Sequence, residues 1–533
     1  MNPNSLLTRF FPNLYRDSVA LMQLSAKIAK LPGVSEASAQ MATRANLELM
    51  QGAGLLDNLP EARPNDILLI VRGAAAALEE AAQLADALLN EKAANLPQDE
   101  QSEPLRSLEM AFAASEGAAN LALISTPGDY AAAEAMKALQ LGMNAMIFSD
   151  NVSVEAEIAL KRYAEPRGLL VMGPDCGTAI IDGMPLAFAN VVARGDIGVI
   201  GASGTGLQQV TCLIDQYGAG ITHAIGTGGH DLAEAVGGIT MLSALKQLSS
   251  DPATKIIVLI SKPPAASIAK KVLNAAQHSG KPVVVCFLGA DPDKIRGISA
   301  HLIPARTLEE AARLACALSQ GESIATVNAQ SAKPVDLSAL QKRAQALAKH
   351  LTPSQKYVRG LYTGGTFCYE ALLMLQDSLP GLQSNTPTGK VSRVTDLWQS
   401  QGNTILDLGD DDFTRGRPHP MIDPSLRNER TLLEAADESV GIILLDFVLG
   451  YGAHEDPAGQ IVPVLSAART VAQKTGRQLL FIGHVCGTQG DPQSFTAQCQ
   501  TLQTAGVELA NSNAEAVSLC RAVYEHLNLP AGA

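Results

Sequence analysis

The 533-residue sequence has few aromatic side chains, few charges and no surplus of positive charge. Aromatic residues make up 4% and charged residues 17% of the chain, and 40 Lys and Arg against 53 Asp and Glu give a net charge of −13. Nucleic acids and anionic membranes are bound through clustered positive charge, which no long segment offers. The composition therefore favours small molecules or proteins as partners, with no nucleic acid and no membrane.

The sequence also lacks long apolar runs. Runs such as IIVLI and GIILLDFVL fall far short of the roughly 18 apolar residues that span a bilayer, and the first residues lack the apolar core of a secretory signal. The eight cysteines show no CxxC pair and no metal-ligand spacing. We therefore expect a cytoplasmic protein with reduced thiols, most of them small core residues.

Apolar runs of strand length alternate with Ala- and Leu-rich stretches of helical period. This alternation predicts an α/β fold of several doubly wound parallel-sheet domains, two of them flavodoxin-like. The length allows three or four domains at roughly 100–200 residues each, and a polar segment at 93–108 is typical of a linker. The predicted domains are a small α/β domain at 1–95, half of a doubly wound unit at 110–190, and flavodoxin-like domains at 191–325 and 353–530.

Two glycine-rich turns with the same surroundings indicate that the last two domains are duplicates. Residues 197–208 (IGVIGASGTGLQ) and 358–369 (VRGLYTGGTFCY) both run strand, small-residue turn, Thr and helix. Such a turn brings bare amides and hydroxyls to a helix start, where the helix dipole favours an anion, although a single turn can serve backbone geometry alone. The repetition favours two helix starts that converge on one phosphate. The candidate phosphate ligands are Ser203, Gly204, Thr205, Gly364, Gly365 and Thr366.

A loop rich in Arg and Asp, residues 410–430, follows the predicted strand Ile405–Leu408. It lies at the carboxyl end of that strand, where open α/β sheets bind ligands. Arg guanidinium groups form bidentate hydrogen bonds to carboxylates and phosphates, and Pro418 and Pro420 would restrict the backbone around His419. The alternative is that these residues form a solvated charged loop. The candidates from this loop are Arg415, Arg417 and Arg427 for a substrate carboxylate, and Arg417 and His419 for catalysis.

Three further segments follow predicted strands. In GTGGHD, His230 is a candidate catalytic acid, base or anion donor, and the alternative is a structural histidine. Lys262 either adds a point charge to a bound phosphate or is solvated. Cys176 in MGPDCGT has no histidine nearby in the sequence, so a structural thiol is favoured over a nucleophile.

Residues 172–178, 197–208, 226–231 and 251–264 together resemble the α subunit of succinyl-CoA synthetase and other NDP-forming acyl-CoA synthetases. The GGT turn with the ILDLGDD strand resembles the ligase domain of the β subunit. A chain that fuses both modules, with MGPDCGT, GASGTG and GRPHPMIDP in this order, is similar to the FdrA family over essentially its whole length. The resemblance implies that 110–190 is of the CoA-binding type, that the flavodoxin-like domains are ligase-like, and that the paired turns face one phosphoryl group.

The sequence departs from the synthetase pattern in three respects. FLGADPDKIRGISA, where the family has its catalytic histidine, contains none; no Gly-rich CoA-phosphate loop precedes residue 120; and no ATP-grasp module is visible. Bound CoA and nucleotide are therefore not expected, whereas a phosphate cradle remains. FdrA-like proteins are associated with oxamate carbamoyltransferase, in which phosphate splits oxalurate to oxamate and carbamoyl phosphate within allantoin catabolism.

The resemblance thus implies a transferase that uses phosphate as a substrate and works with companion subunits, as an oligomer. His419 or His230 would protonate the leaving nitrogen, and a divalent metal ion, Mg or Mn, would be bound by Asp410–Asp412 or by a companion. One alternative is an NDP-forming acyl-CoA synthetase of the succinyl-CoA ligase type. Another is a non-catalytic regulatory or scaffold subunit that retains an anion site.

Overall fold

The computed structural model describes residues 5–90 (without 13, 15, 17, 53, 57, 59 and 64), 105–333, 337–415 and 417–527. Most of the predicted linker at 93–108 lies outside these residues. The described residues form four sheets, three of them built mainly from parallel strands, as the predicted α/β class requires. Within the described ranges, no helix combines the length and the apolar character that crossing a bilayer requires.

The N-terminal domain is an antiparallel three-stranded sheet packed against helices, with the strand order β1-β3-β2. Its elements are β1 (Ser5–Phe11), α1 (Ser18–Ala29), β2 (Val34–Met41), α2 (Arg44–Gly52), β3 (Ile67–Gly73) and α3 (Ala75–Asn90). Successive side chains of the central strand β3 point to opposite faces. Ile67, Leu69 and Val71 therefore pack in one apolar cluster and Leu68 and Ile70 in another, so the strand is buried on both sides.

The second unit is a parallel three-stranded sheet with the order β4-β5-β6. Its elements are α4 (Leu108–Ala114), β4 (Leu121–Ile124), α5 (Gly128–Gln140), β5 (Asn144–Ile147), α6 (Val154–Ala164) and β6 (Val171–Met172). Ser153 caps α6 by accepting a hydrogen bond from the N–H of Ala156. Met146 and Met172 pack in a core that continues into the third unit, so the two units are joined by apolar contact.

The third unit is a seven-stranded sheet with the order β13-β12-β11-β9-β10-β7-β8. Its elements are β7 (Thr178–Ile181), β8 (Met184–Ala187), β9 (Arg194–Gly201), α7 (Gly204–Gln216), β10 (Ile221–Gly226), α8 (Ile239–Ser250), β11 (Ile256–Ser261), α9 (Ala266–Gln277), β12 (Val283–Phe287), α10 (Pro292–Arg296), β13 (Leu302–Pro304) and α11 (Leu308–Ser319). The five parallel strands follow the flavodoxin order 2-1-3-4-5. The hairpin of β7 and β8 extends this sheet, although it lies on the other side of the predicted domain boundary at 190.

The fourth unit repeats that order in an all-parallel sheet, β16-β15-β17-β14-β18-β19-β20. Two helices, α12 (Ile324–Ser331) and α13 (Ser338–Ala348), precede it. Its elements are β14 (Tyr357–Tyr362), α14 (Gly365–Leu375), β15 (Gln383–Ser384), β16 (Ser392–Arg393), β17 (Thr404–Asp407), α15 (Asp411–Thr414), α16 (Ser425–Ala436), β18 (Val440–Val448), α17 (Pro457–Gln473), β19 (Leu480–Cys486), α18 (Phe495–Thr504), β20 (Val507–Ala510) and α19 (Asn513–Leu527). Strands β14, β17, β18, β19 and β20 again give 2-1-3-4-5, which confirms two flavodoxin-like domains.

The two flavodoxin-like domains share one apolar core. Helices α7 and α11 of the first pack with α14 and α19 of the second, and their buried side chains form a single cluster. Glu370 on α14 joins the halves: its carboxylate accepts hydrogen bonds from the N–H of Leu308 at 2.9 Å and from the side-chain amide of Asn513 at 2.8 Å. Helices α7 and α14 are therefore fixed relative to each other.

Candidate functional site

The two glycine-rich turns occupy equivalent places in the two flavodoxin-like sheets. Each follows the first parallel strand, β9 or β14, and begins the next helix at the point where the strand order reverses, which is where such sheets bind ligands. The Ser203 and Thr366 hydroxyls are hydrogen-bonded to each other, and the Thr366 N–H donates to Thr205 Oγ1 at 3.4 Å. The structure therefore brings together the two turns that the sequence analysis paired.

The first turn leaves backbone donors at the start of α7. Ser203 is the N-cap residue, and its hydroxyl accepts from the N–H of Gly206 at 3.0 Å. The amides of Gly204 and Thr205 belong to the first turn of the helix, which has no intrahelical acceptors. These amides and the two hydroxyls are the donors that an anion would use.

The second turn is held by a buried carboxylate. Asp446 on β18 accepts hydrogen bonds from the N–H of Thr363 at 2.8 Å, from its hydroxyl at 2.9 Å, and from the N–H of Gly364 at 2.8 Å. The predicted role of Gly364 as an amide donor to phosphate is therefore not retained, because Asp446 already binds that amide. Gly365 and Thr366 remain at the open start of α14.

Arg427 balances the charge of Asp446 and does not face the loop. Its guanidinium is buried, lies 3.8 Å from the Asp446 carboxylate and donates to the Asp446 carbonyl at 2.5 Å. Arg430 is likewise buried against Glu434. The prediction that Arg427 clamps a substrate carboxylate is corrected, since helix α16 turns this side chain into the core.

Asp407, which the sequence analysis did not select, lies at the start of α14. It is the last residue of β17, and one of its carboxylate oxygens accepts a hydrogen bond from the N–H of Gly409 at 3.0 Å. The other oxygen lies so close to Gly365 that the Cβ of any other residue at 365 would be only 2.6 Å away from it. Only glycine at 365 allows this approach. Burial raises the pKa of Asp407 to about 7, although the positive charge of Lys262 acts in the opposite direction. Asp407 belongs to the ILDLGDD segment that resembles the β-subunit ligase domain, but the sequence pattern does not show its burial, on which the raised pKa depends.

Charged side chains from several strand ends surround the paired turns. Lys262, which follows β11, has its ammonium 5.3 Å from the centre of the Tyr369 ring on α14. Asp175 is exposed, but the protein around its carboxyl raises the pKa to about 6. The negative charge of Asp150 adds to this shift, whereas His230 and Lys262 oppose it. Both positively and negatively charged side chains therefore lie around the candidate site.

His230 is exposed and lies near Asp175. Its Nδ1 is 3.6 Å from Oε2 of the buried Glu157. The neighbouring Asp231 is structural: it accepts from the first amides of α8 and pairs with Lys161 at 2.8 Å. Cys176 is also structural, as predicted, because burial raises its pKa to about 12.

His419 lies against the loop that follows β17. Its Nδ1 accepts a hydrogen bond from the N–H of Met421 at 3.2 Å. Its Nε2 packs so closely against Gly409 that a Cβ on residue 409 would be only 2.5 Å away. The surrounding protein disfavours the charged ring and lowers the pKa of His419 to about 4. At neutral pH this imidazole is uncharged, so the predicted role of His419 as a proton donor is not retained.

The remaining residues of the 410–430 loop are dispersed. Arg415 is exposed, whereas the Arg417 guanidinium lies 3.6 Å from Glu36 of the N-terminal domain and 5.8 Å from the Trp398 ring centre. Asp410 caps α15, and Asp412 pairs with Arg393 at 2.9 Å. The described part of the chain contains no group of three His, Cys, Asp or Glu side chains that could hold a metal ion, so Asp410–Asp412 do not form the expected metal site.

Comparison with known proteins identifies the family. Family models described as "AllF, heavy metal-associated domain", "CoA binding domain" and "CoA-ligase" match residues 4–105, 193–289 and 361–523. The uncharacterized protein YahF of Escherichia coli K12 is 43% identical over 515 residues, which cover 96% of this chain and 97% of YahF. The chain belongs to the YahF family. The CoA-ligase model matches the fourth unit, and the CoA-binding description falls on 193–289 rather than on 110–190.

Comparison also finds a more distant relative among the succinyl-CoA ligases. The α subunit of the ADP-forming succinate–CoA ligase of Staphylococcus epidermidis is 26% identical over 198 residues, which cover 36% of this chain and 64% of that subunit. Among solved structures, a dinucleotide-forming acetyl-coenzyme A synthetase of Ca. Korarchaeum cryptofilum covers 76% of this chain and 82% of its own at 16% identity, with a TM-score of 0.28. ATP citrate lyase of Methanothrix soehngenii covers 79% and 84% at 12% identity, with a TM-score of 0.34.

Proposed function

We propose that this chain is the FdrA-type subunit of an oxamate carbamoyltransferase, which transfers the carbamoyl group of oxalurate to phosphate. The observation that carries the proposal is the hydrogen bond between Ser203 and Thr366, because it joins two helix starts at one point. Two helix dipoles and several free donors at one point favour a small multivalent anion. Phosphate, as the substrate, has that charge and shape.

The proposed reaction needs one proton to move from phosphate to the leaving nitrogen. A phosphate oxygen forms a bond to the carbamoyl carbon, the bond from that carbon to the amide nitrogen breaks, and oxamate leaves with the proton. Asp407, which lies beside Gly365 at the start of α14, would carry this proton. A carboxyl group with a pKa of about 7 can accept the proton and return it at neutral pH.

The other groups position the reactants. Ser203, Thr366 and the amides of Gly204 and Thr205 would bind phosphate, and Lys262 would add positive charge. Arg415 is the exposed arginine left to bind the substrate carboxylate, because Arg417 already contacts Glu36. Catalysis would then rest mainly on orientation and on donors aimed at developing charge.

The test supplies the purified chain and its companion subunits with oxalurate and phosphate, and measures carbamoyl phosphate. Ser203→Ala and Thr366→Val should each lower kcat/KM for phosphate roughly 100-fold, the usual effect of removing one donor from such a site. Ser250→Ala, an exposed serine at the end of α8, is the matched control and should have no effect. Absence of carbamoyl phosphate with every companion present would refute the proposal.

An acid–thiol ligase of the succinyl-CoA ligase type is the second candidate, because the CoA-binding and CoA-ligase models match both flavodoxin-like domains. This route requires CoA and a phosphorylated intermediate on protein. Incubation with ATP labelled at the γ-phosphate distinguishes the two reactions. An acid-labile phosphoprotein whose label is released by CoA and an acid would favour the ligase, whereas the carbamoyl transfer predicts no labelling.

A further inference from the structure

The N-terminal domain does not have the residues of a soft-metal site. The family model that matches residues 4–105 is described as heavy-metal-associated, yet this segment contains no Cys and no His. Copper(I) and heavy divalent ions are held in proteins by thiolates and imidazoles. Met22, Met41 and Met50 supply the only sulfur atoms of residues 5–90, and two of them are buried in separate apolar clusters. The residues therefore do not fit the metal.

This domain instead contacts the fourth unit through two charged side chains. Glu36 on β2 lies 3.6 Å from the Arg417 guanidinium and also pairs with Arg72 of its own domain at 3.3 Å. Lys30, just after α1, has its ammonium 3.2 Å from Nε2 of His454. Both contacts reach the region between β17 and the loop after β18.

Three hydrogen bonds and one packing contact connect these contacts with the candidate site. The N–H of His454 donates to the Met421 carbonyl at 2.8 Å, and the N–H of Met421 donates to His419 at 3.2 Å. The His419 ring lies against Gly409, whose N–H donates to Asp407 at 3.0 Å. The N-terminal domain therefore contacts the same segment, residues 417–421, that packs against Gly409, the hydrogen-bond partner of Asp407.

We propose that the N-terminal domain is a docking domain that binds no metal ion and holds residues 417–421 in place through Glu36 and Lys30. These two side chains are positioning residues, since neither touches the paired turns. Both contacts are partly solvent-exposed, so each contributes little to global stability, and their loss should appear as local opening of the segment.

Amide hydrogen exchange of the full chain tests the docking role. In the Lys30→Gln/Glu36→Gln double variant, amides of residues 417–423 should exchange about three- to tenfold faster, the range expected from losing two exposed charge contacts. Glu48→Gln is the matched control: Glu48 lies in the same domain, pairs only within α2 with Arg44, and should leave that segment unchanged. Equal exchange in the double variant and the wild type would overturn the docking role, and this readout does not depend on carbamoyl transfer.

Cadmium(II) titration of the same protein tests the absence of a metal site. Exchange of residues 18–52 and 65–90 should be unchanged when cadmium(II) is added, because the domain offers no thiolate or imidazole. Cadmium-dependent protection confined to these residues would overturn this part of the proposal. Cadmium-dependent changes in exchange outside these residues would come from binding to the cysteines of the other units, the first of which is Cys176.

Discussion

At the scale of single residues, protonation decides what the candidate site can do. Asp407 and His419 lie on either side of Gly409, and burial shifts the pKa of the carboxyl up to about 7 and that of the imidazole down to about 4. The sequence could identify His419 as a candidate, because it lies between two prolines. It could not predict that the imidazole is neutral or that the pKa of Asp407 is raised, since both depend on burial by residues distant in the chain.

Asp407→Asn should remove the proton transfer while leaving the phosphate ligands in place. We expect kcat to fall by roughly 10² to 10⁴ and the rise of activity with pH through about 7 to disappear. The measurement is a pH profile of kcat, with phosphate affinity determined separately. Asp377→Asn, an exposed residue that pairs with Lys390, is the control. A midpoint near 7 that survives in the Asp407 variant would assign the proton transfer to another group.

Glu370→Gln should change the pH dependence of stability. Burial raises the pKa of Glu370 from 4.5 to about 7, so its contribution is complete below pH 4.5 and is lost as the pH rises to about 7. The variant should therefore gain stability relative to the wild type, by about 3 kcal/mol, between pH 4.5 and pH 8. Urea unfolding of both proteins at pH 5 and pH 8 measures this difference. A difference that is the same at both pH values would contradict the expected linkage.

At the scale of elements, the turns that follow the carboxyl ends of the first parallel strands could be predicted from the sequence. Both glycine-rich turns begin helices, at Gly204 and Gly365, as the small-residue pattern indicates. The hairpin of β7 and β8 could not be found, because its strands have four residues each and pair with a later strand. The prediction that Arg427 binds a substrate carboxylate is wrong for a similar reason, because a sequence does not show which face of α16 is buried.

Asp446→Asn should destabilise the second turn strongly. It removes the charge that balances the buried Arg427 guanidinium, and an unpaired buried charge typically costs about 3–5 kcal/mol. Urea unfolding measures the loss. Adding Arg427→Met removes the orphaned charge and should recover part of this stability, which makes the double variant the control. Additive losses from the two substitutions would show that the pair is not coupled.

At the scale of the whole molecule, fusion of two ligase-like domains fixes the distance between their first helices. The alternating pattern of the sequence predicts the two domains and their duplication, and the structure confirms the fold. Their shared core could not be predicted, because the buried faces of α7, α11, α14 and α19 would look the same if each domain packed alone. This shared core is what brings Ser203 to Thr366 across 163 residues of chain.

The shared core predicts that the two flavodoxin-like domains unfold together. Trp398 is the single tryptophan of the chain and lies in the fourth unit, so its fluorescence reports that unit alone. Its urea midpoint should coincide with the loss of hydrogen-exchange protection in α7 and β9 of the third unit. Two separate midpoints would show that the domains are independent and that contact between the turns is not enforced by packing.

The contact between the two turns is tested most directly by a crystal structure of the full chain grown with phosphate. We predict one tetrahedral anion within hydrogen-bond distance of both Ser203 and Thr366, with the amides of Gly204 and Thr205 as further donors, and no such anion in crystals of the Ser203→Ala/Thr366→Val variant. Phosphate bound at only one turn, or turns that lie apart with no shared anion, would contradict the account.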